Sequence, residues 1–114
     1  MQMQLILLFR PPTAVTEAAF ERVYNAILAE LEQMPGIIRR QVASVTGAPQ
    51  SPAAFYRVLS LDFADEAALQ AALLSPPGQE AGRIIRRLPR EAYEVLFAEH
   101  YEEAGGQTPT IEEG

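Results

Sequence analysis

The chain of 114 residues contains no cysteine and carries a formal net charge of −6 at pH 7. This length accommodates one packed core and excludes two, and the missing thiols exclude disulfides and thiolate metal sites. All nine basic residues are arginine, and four of the 15 acidic residues lie at positions 102–114. The rest of the chain is therefore nearly neutral, which argues against nucleic acid as a partner.

The apolar stretches are too short to cross a membrane. The run of residues 5–9 has no basic residue before it and is followed by Arg10-Pro11-Pro12, which is unlike a secretory signal. No other segment approaches the roughly 20 apolar residues that a membrane-spanning helix needs. We therefore expect a cytoplasmic protein with no membrane partner.

The first predicted element is a strand over residues 3–10. Apolar residues occupy both alternating sets of positions, 5, 7 and 9 on one side and 6 and 8 on the other. This pattern is typical of a strand that is buried on both faces.

A helix follows, with Thr16 as its N-cap and apolar residues at positions 20, 23, 24, 27, 31 and 34 on one helical face. Pro35 cannot continue this helix, and Gly36 can adopt the left-handed conformation that ends it. The β-branched residues of positions 37–46 then predict a second strand, on which Arg39 and Arg40 point to opposite faces. On an edge strand such charges discourage pairing with another chain.

Residues 55–63 predict a third strand. Asp65 is suited to cap a second helix, which Pro76-Pro77-Gly78 are expected to stop. Residues 82–88 predict no more than a helical turn, and residues 92–101 predict a fourth strand. We expect one domain over residues 1–101 and an acidic flexible tail over residues 102–114.

The element order βαββαβ predicts a ferredoxin-like α+β fold. Right-handed crossovers place both helices on one face of a four-stranded antiparallel sheet, with the first and third strands in its centre. The second face of the sheet would then expose the apolar side chains of Ile6, Leu8, Tyr56 and Val58. Because a contiguous apolar patch usually marks an interaction surface, we expect a two-fold homodimer whose sheets form an α/β barrel.

Over residues 3–100 the sequence resembles the EthD family of dimeric α/β-barrel proteins. The features that carry this resemblance are the apolar first strand, Met34-Pro35-Gly36 at the end of the first helix, Tyr56-Arg57-Val58 on the third strand, and Ser75-Pro76 after the second helix. The resemblance implies a dimer with a pocket between the helices and the sheet of each protomer. It also implies a place among ether-degrading oxidation systems and the related cofactor-independent monooxygenases, so no cofactor is expected.

The chain departs from the family pattern at one position of the first helix. Family members commonly carry a histidine about eight residues before the Pro-Gly pair, and here that position falls at Ile27 or Leu28. An aliphatic side chain cannot transfer a proton. The resemblance therefore implies no catalytic residue at this position.

Four residues are candidate ligand contacts: Tyr24, Tyr56, Arg57 and Tyr93. An arginine on a largely apolar strand face needs a carboxylate partner or an anionic ligand, because an unpaired buried charge is costly. Tyr24 can instead serve in the core, and Tyr56 and Tyr93 can instead lie in the dimer interface. His100 is the only histidine, either a general base or a solvated strand-end residue, and a single histidine without cysteine argues against a metal site.

These features predict a dimeric protein that binds a small hydrophobic organic molecule. In the EthD-like reading, the protein assists or performs a cofactor-independent oxidation in a degradation pathway. The alternative is a non-enzymatic dimeric accessory or structural module, in which the tyrosines and Arg57 are committed to packing and ion pairing.

Overall fold

The computed structural model describes residues 2–13 and 15–101. These residues form one antiparallel sheet with the strand order β2-β3-β1-β4 and three α-helices. The ferredoxin-like α+β fold, with the first and third strands central, is thereby confirmed. The elements are β1 (Gln2–Phe9), α1 (Glu17–Leu31), β2 (Ile37–Ser44), β3 (Arg57–Phe63), α2 (Glu66–Leu74), α3 (Pro76–Ile85), a 3₁₀ turn (Arg90–Ala92) and β4 (Tyr93–His100).

The core lies between the helices and one face of the sheet, which we call the helix-side face. Alternate residues of the two central strands are buried there because successive side chains of a strand point to opposite faces. The apolar stripe of α1 packs onto them, as its 3.6-residue spacing predicts. The residues buried from these three elements are Leu5, Leu7, Phe9, Phe20, Tyr24, Ile27, Leu31, Leu59, Leu61 and Phe63.

Helix α1 begins where its sequence predicts but ends earlier, at Leu31 with Glu32 as its C-cap, so Met34 lies in the turn that follows. The Oγ1 atom of Thr16 accepts a hydrogen bond of 3.1 Å from the backbone N–H of Ala19, which satisfies one of the unpaired donors of the first turn. Gly36 has φ of 85°, a conformation that side chains with a Cβ atom rarely adopt. The turn after the helix therefore leads directly into β2.

The third helix corrects the interpretation of Pro76-Pro77-Gly78 as a plain stop. The hydroxyl oxygen of Ser75 accepts a hydrogen bond of 3.3 Å from the backbone N–H of Gly78 and so caps a new helix, α3. Proline is favoured in a first helical turn because its missing N–H would have no intrahelical partner there. What the sequence predicts as a helical turn over residues 82–88 is largely the second half of this ten-residue helix.

Tyr56 does not lie on the second face of the sheet, contrary to the prediction. Strand β3 begins one residue later, at Arg57, and the ring of Tyr56 packs edge-on against Phe20 of α1, with 5.5 Å between the centroids. Strand alternation does not extend to a residue that precedes the strand. Leu96 takes its place: on the second face, Ile6 is paired with Leu96 and Leu8 with Val58.

This second face, which we call the outer face, is apolar in one part and polar in another. Asp62 is only 1% exposed and accepts hydrogen bonds from Gln4 Nε2 at 2.9 Å and from Arg39 at 3.1 Å. Arg40 points to the other side of β2 and pairs with Glu32, the residue that follows α1, at 2.7 Å. The predicted opposite orientation of the two arginines is therefore correct. The proposed tail, 102–114, lies outside the described residues.

Candidate functional site

An apolar cavity of about 80 Å³ lies between the sheet and helices α1 and α3. Its wall is formed by aliphatic side chains, one methionine and two glycines, and among the residues described it holds no titratable group. Such a wall favours a ligand without charge or hydrogen-bonding groups at its buried end. The lining residues are Leu5, Leu7, Ile27, Leu31, Met34, Leu73, Gly78, Ala81, Gly82, Ile85 and Val95.

Two glycines of α3 form part of this wall, and they differ in the space that surrounds them. A Cβ atom at Gly78 would overlap the backbone carbonyl oxygen of Ala72, so α3 can approach the end of α2 only if this residue has no side chain. At Gly82 a Cβ atom would meet only the Nη1 atom of Arg86, at an ordinary 3.7 Å. Close packing requires glycine at the first position and tolerates a side chain at the second.

The cavity opens towards strand β4. Val95 lines the cavity and is 45% exposed, and Phe97, two residues further along the same face, is 57% exposed. Helix α2 packs on β1 and β3, whereas α3 packs on α1 and α2. The helix layer therefore leaves an apolar strip of β4 uncovered beside the cavity mouth.

Ile27 is one of the two residues that can occupy the histidine position of the family pattern. Its side chain is almost fully buried and lines the cavity. A histidine in this position would face the cavity, whereas isoleucine contributes only apolar contact. The described part of the cavity wall offers apolar contact and supplies no acid or base.

One turn of α1 away, three of the four predicted ligand contacts meet in an arginine-tyrosine cluster. The guanidinium of Arg57 donates two hydrogen bonds of 3.0 Å to the carboxylate of Glu21. Its Cζ atom lies 4.5 Å from the ring centroid of Tyr24 and 5.1 Å from that of Tyr56. Paired ionic bonds and flanking rings hold the guanidinium in one orientation. The carboxylate partner predicted for Arg57 is therefore Glu21 of the same chain.

The cluster shifts the pKa values of its members. The hydrogen bonds from Arg57 hold the pKa of Glu21 below its ordinary value, and those same bonds raise the pKa of Arg57. Burial raises the pKa of Tyr24. The hydrogen bond that the Tyr56 hydroxyl donates to Glu17, at 2.9 Å, raises the pKa of Tyr56. The ion pair is thus charged at neutral pH, and both phenols are protonated.

Tyr24 has one unusual feature. Its hydroxyl oxygen is buried and lies near the guanidinium of Arg57, but it makes no hydrogen bond of good geometry within residues 2–13 and 15–101. A buried hydroxyl without a partner costs free energy that a water molecule or a ligand atom would recover. Tyr24 precedes Ile27 by one turn of α1, so this hydroxyl is the polar group of the cluster that stands nearest in sequence to the cavity wall.

Tyr93, the fourth predicted contact, lies on the other side of β1. Arg57, Phe9 and Tyr93 form one row across three strands on the helix-side face. Tyr93 is buried beneath the guanidinium of Arg90, whose Cζ atom lies 5.3 Å from its ring centroid. The sequence-based candidates thus gather at one end of the sheet, and none of the four lines the cavity.

A second, larger groove of about 470 Å³ runs beside the connection between β1 and α1. Arg10 on its wall donates hydrogen bonds of 3.0 Å to the carbonyl oxygen of Glu91 and to the carboxylate of Glu94. A ligand would have to break this ion pair to use Arg10. Arg90, the second arginine of this groove, donates a hydrogen bond of 3.3 Å to the carbonyl oxygen of Tyr93, so both described arginines already have partners.

Metal and membrane sites receive no support from the part of the chain that the structure describes. Within it, no three histidine, aspartate or glutamate side chains lie close enough together to hold a metal ion. No described helix combines the length and the apolar character needed to cross a bilayer.

The fold and the cavity define a ferredoxin-like α+β protein with an apolar site between helices and sheet. No protein-family model and no curated protein matches the chain. Among solved structures, an ethyl tert-butyl ether-degrading (EthD) family protein from Bacillus halodurans matches with a TM-score of 0.79 and 22% identity, over 89% of this chain and all of that one. The predicted resemblance to the EthD family is thus confirmed at the level of the fold.

Two further structures show how widely this fold is used. A dimeric ferredoxin-like protein of unknown function from Thermobifida fusca has a TM-score of 0.66 and 19% identity, over 86% of this chain and 90% of its own. SnoaB, a cofactor-independent oxygenase from Streptomyces nogalater, has a TM-score of 0.62 and 18% identity, over 90% and 95%. At such identities the likeness shows the fold alone.

Proposed function

We propose that this chain is an EthD-like protein that binds a small hydrophobic organic molecule as a homodimer. The observation that carries this proposal is the apolar cavity between the sheet and helices α1 and α3, because its wall offers contact to hydrocarbon and no partner to a charged group. The cytoplasmic location predicted from the sequence belongs to the same proposal.

The homodimer follows from the outer face of the sheet. Ile6, Leu8, Val58 and Leu96 are neighbours there, and none of them is fully buried. Each Å² of apolar surface that a second copy covers favours association by about 25 cal/mol before the cost of lost freedom is subtracted. The dimeric state of the Thermobifida fusca protein of the same fold supports this assembly.

Cofactor-independent oxidation is the enzymatic form of the proposal. The fold shared with SnoaB supports it, and Tyr24, Tyr56, Arg57 and Tyr93 are the residues we propose to contact a ligand that extends beyond the cavity. Tyr24 is the strongest of these, because its buried hydroxyl lacks a partner among the described residues. A ligand oxygen atom there would satisfy the hydroxyl.

A non-enzymatic carrier or accessory module is the second candidate. It is favoured by the aliphatic residues Ile27 and Leu28, one of which stands where the family commonly has a histidine, because Ile27 lines the cavity and the described wall contains no acid or base. The bidentate pair of Arg57 with Glu21 also favours it, since both charges are already satisfied. Ligand recovered unchanged from aerated protein would support the carrier, and ligand that has gained an oxygen atom would support the enzyme.

Benzene is a suitable probe of the cavity because it has no polar group. Titration of the wild-type protein should shift the methyl NMR signals of Ile27 and Leu31 saturably. Ala81→Leu places three additional carbon atoms at a buried position of the cavity wall, and we expect it to weaken benzene binding at least tenfold. Ala29→Leu, on the solvent-exposed side of α1, is the matched control and should bind as the wild type does.

Two results would contradict the binding proposal. The first is a wild-type protein whose methyl signals do not shift saturably with benzene. The second is equal benzene affinity in the wild type and in a folded Ala81→Leu variant, which would place the ligand elsewhere.

A further inference from the structure

Strand β4 is exposed in a way that the other described strands are not. Three consecutive apolar residues are accessible on it: Val95 at 45%, Leu96 at 45% and Phe97 at 57%. Because side chains alternate along a strand, Val95 and Phe97 lie on the helix-side face and Leu96 lies on the outer face. The strand is also at the edge of the sheet. It therefore presents apolar surface on both faces around an edge that no further described strand pairs with.

The chain's own described elements do not cover this strip. On the helix side, α2 and α3 pack towards β1, β3 and α1, so the row of Val95 and Phe97 continues the cavity wall into the open. A ligand small enough for a cavity of about 80 Å³ would not cover both faces of a strand. A partner that covers Leu96 also lies close to Val95 and Phe97, since successive strand residues are only about 3.3 Å apart.

In the proposed homodimer, a second copy of the chain covers the outer face of the sheet. Leu96 belongs to that apolar surface through its pairing with Ile6, so a partner seated on the outer face reaches the β4 edge. The edge itself offers little resistance to such contact, because residues 95–98 carry no charge and no proline. The apolar surface is continuous from the outer face, around the edge, to the cavity mouth.

We propose that the second copy continues around the β4 edge and closes the cavity mouth over Val95 and Phe97. This inference rests on the proposed homodimer. The ligand site of one protomer is then completed by its partner, and a ligand that fills the cavity gains contacts that exist only in the dimer. By thermodynamic linkage, ligand binding strengthens dimerisation by the same factor by which dimerisation strengthens ligand binding.

Single introduced cysteines can test this arrangement without any ligand, because the chain has no cysteine of its own. Phe97→Cys reports on the cavity mouth, and Ser60→Cys, a nearly isosteric change on the outer face, reports on the sheet interface. Ala29→Cys on the exposed side of α1 is the control. The rate of labelling by a maleimide would be measured for each in the wild-type background and with Leu8→Glu, which places a charge in the outer face to keep the chain monomeric.

We expect labelling of both Phe97→Cys and Ser60→Cys to be at least tenfold slower in the wild-type background than with Leu8→Glu, and labelling of Ala29→Cys to be equal in both. Protection of Ser60→Cys without protection of Phe97→Cys would overturn the inference and leave the homodimer standing. Equal rates at both positions would overturn the homodimer and the inference together. If Phe97→Cys itself sediments as a monomer, Val95→Cys is read in its place by the same criteria.

Discussion

At the scale of single residues, the main result is the neutralised charge of Arg57. Its side chain is only 15% exposed, and a buried guanidinium requires a partner. Glu21 supplies both oxygen atoms, while the rings of Tyr24 and Tyr56 flank the cation. The sequence indicates the need for an acidic partner but not its identity, since Glu21 comes into contact only when α1 crosses the end of β3.

Glu21→Gln should destabilise the protein by about 1 to 2 kcal/mol, because it leaves the largely buried Arg57 without its counterion. Chemical denaturation at neutral pH measures this loss. Glu80→Gln is the control: it removes the partner of Arg83 from a pair that is exposed on the surface, and the unfolding free energy should hardly change. Equal effects of the two variants would contradict the structural role of the cluster.

The same pair predicts a pH dependence. The pKa of Glu21 is lowered in the folded state, so its stabilisation is fully present above the ordinary glutamate value of 4.5 and is lost as the pH falls through the lowered value. The stability difference between the wild type and Glu21→Gln should therefore shrink progressively below pH 4.5. A difference that stayed constant or grew in acid would show that the ion pair is not its source.

At the scale of elements, local sequence signals predict where helices begin better than they predict how the helices pack. Thr16 and Asp65 each cap a helix as expected, with the side-chain oxygen of Asp65 accepting a hydrogen bond of 2.8 Å from Ala68. The start of α3 at Pro76 was not predicted, because proline is compatible with the end of one helix and the beginning of the next. A pocket between helices and sheet was implied by the resemblance to the EthD family, but the residues that line it were not predicted, since the shape of a void depends on how closely α3 approaches α2 and the sheet.

The two glycines of α3 provide a matched test of that packing. Gly78→Ala should destabilise the protein, by about 2 kcal/mol or more, because its Cβ atom would overlap backbone that cannot move freely. Gly82→Ala should be neutral or stabilising, by up to about 1 kcal/mol, since alanine favours the helix and its Cβ atom meets no close contact. Thermal unfolding of both variants measures the difference, and a reversed order would refute the described approach of α3 to α2.

At the scale of the whole molecule, the described helices cover one face of the sheet and leave apolar side chains of the other face accessible. The alternation of apolar residues on β1 was sufficient to predict this, and Ile6 and Leu8 lie where it placed them. The polar cluster of Asp62, Gln4 and Arg39 on the same face was not predicted, because it combines residues from three strands. In the proposed homodimer, a fixed polar cluster beside an apolar patch would favour one arrangement of the two copies over others.

The oligomeric state tests the central claim most directly. Sedimentation velocity of the wild-type chain at micromolar concentration should give a species of twice the protomer mass of 12.5 kDa. Leu8→Glu should sediment as a folded monomer, and Arg22→Glu, on the exposed side of α1, should remain a dimer. A wild-type chain that is a single monomeric species under these conditions would contradict the account, because its apolar outer face would then be stable in water without a partner.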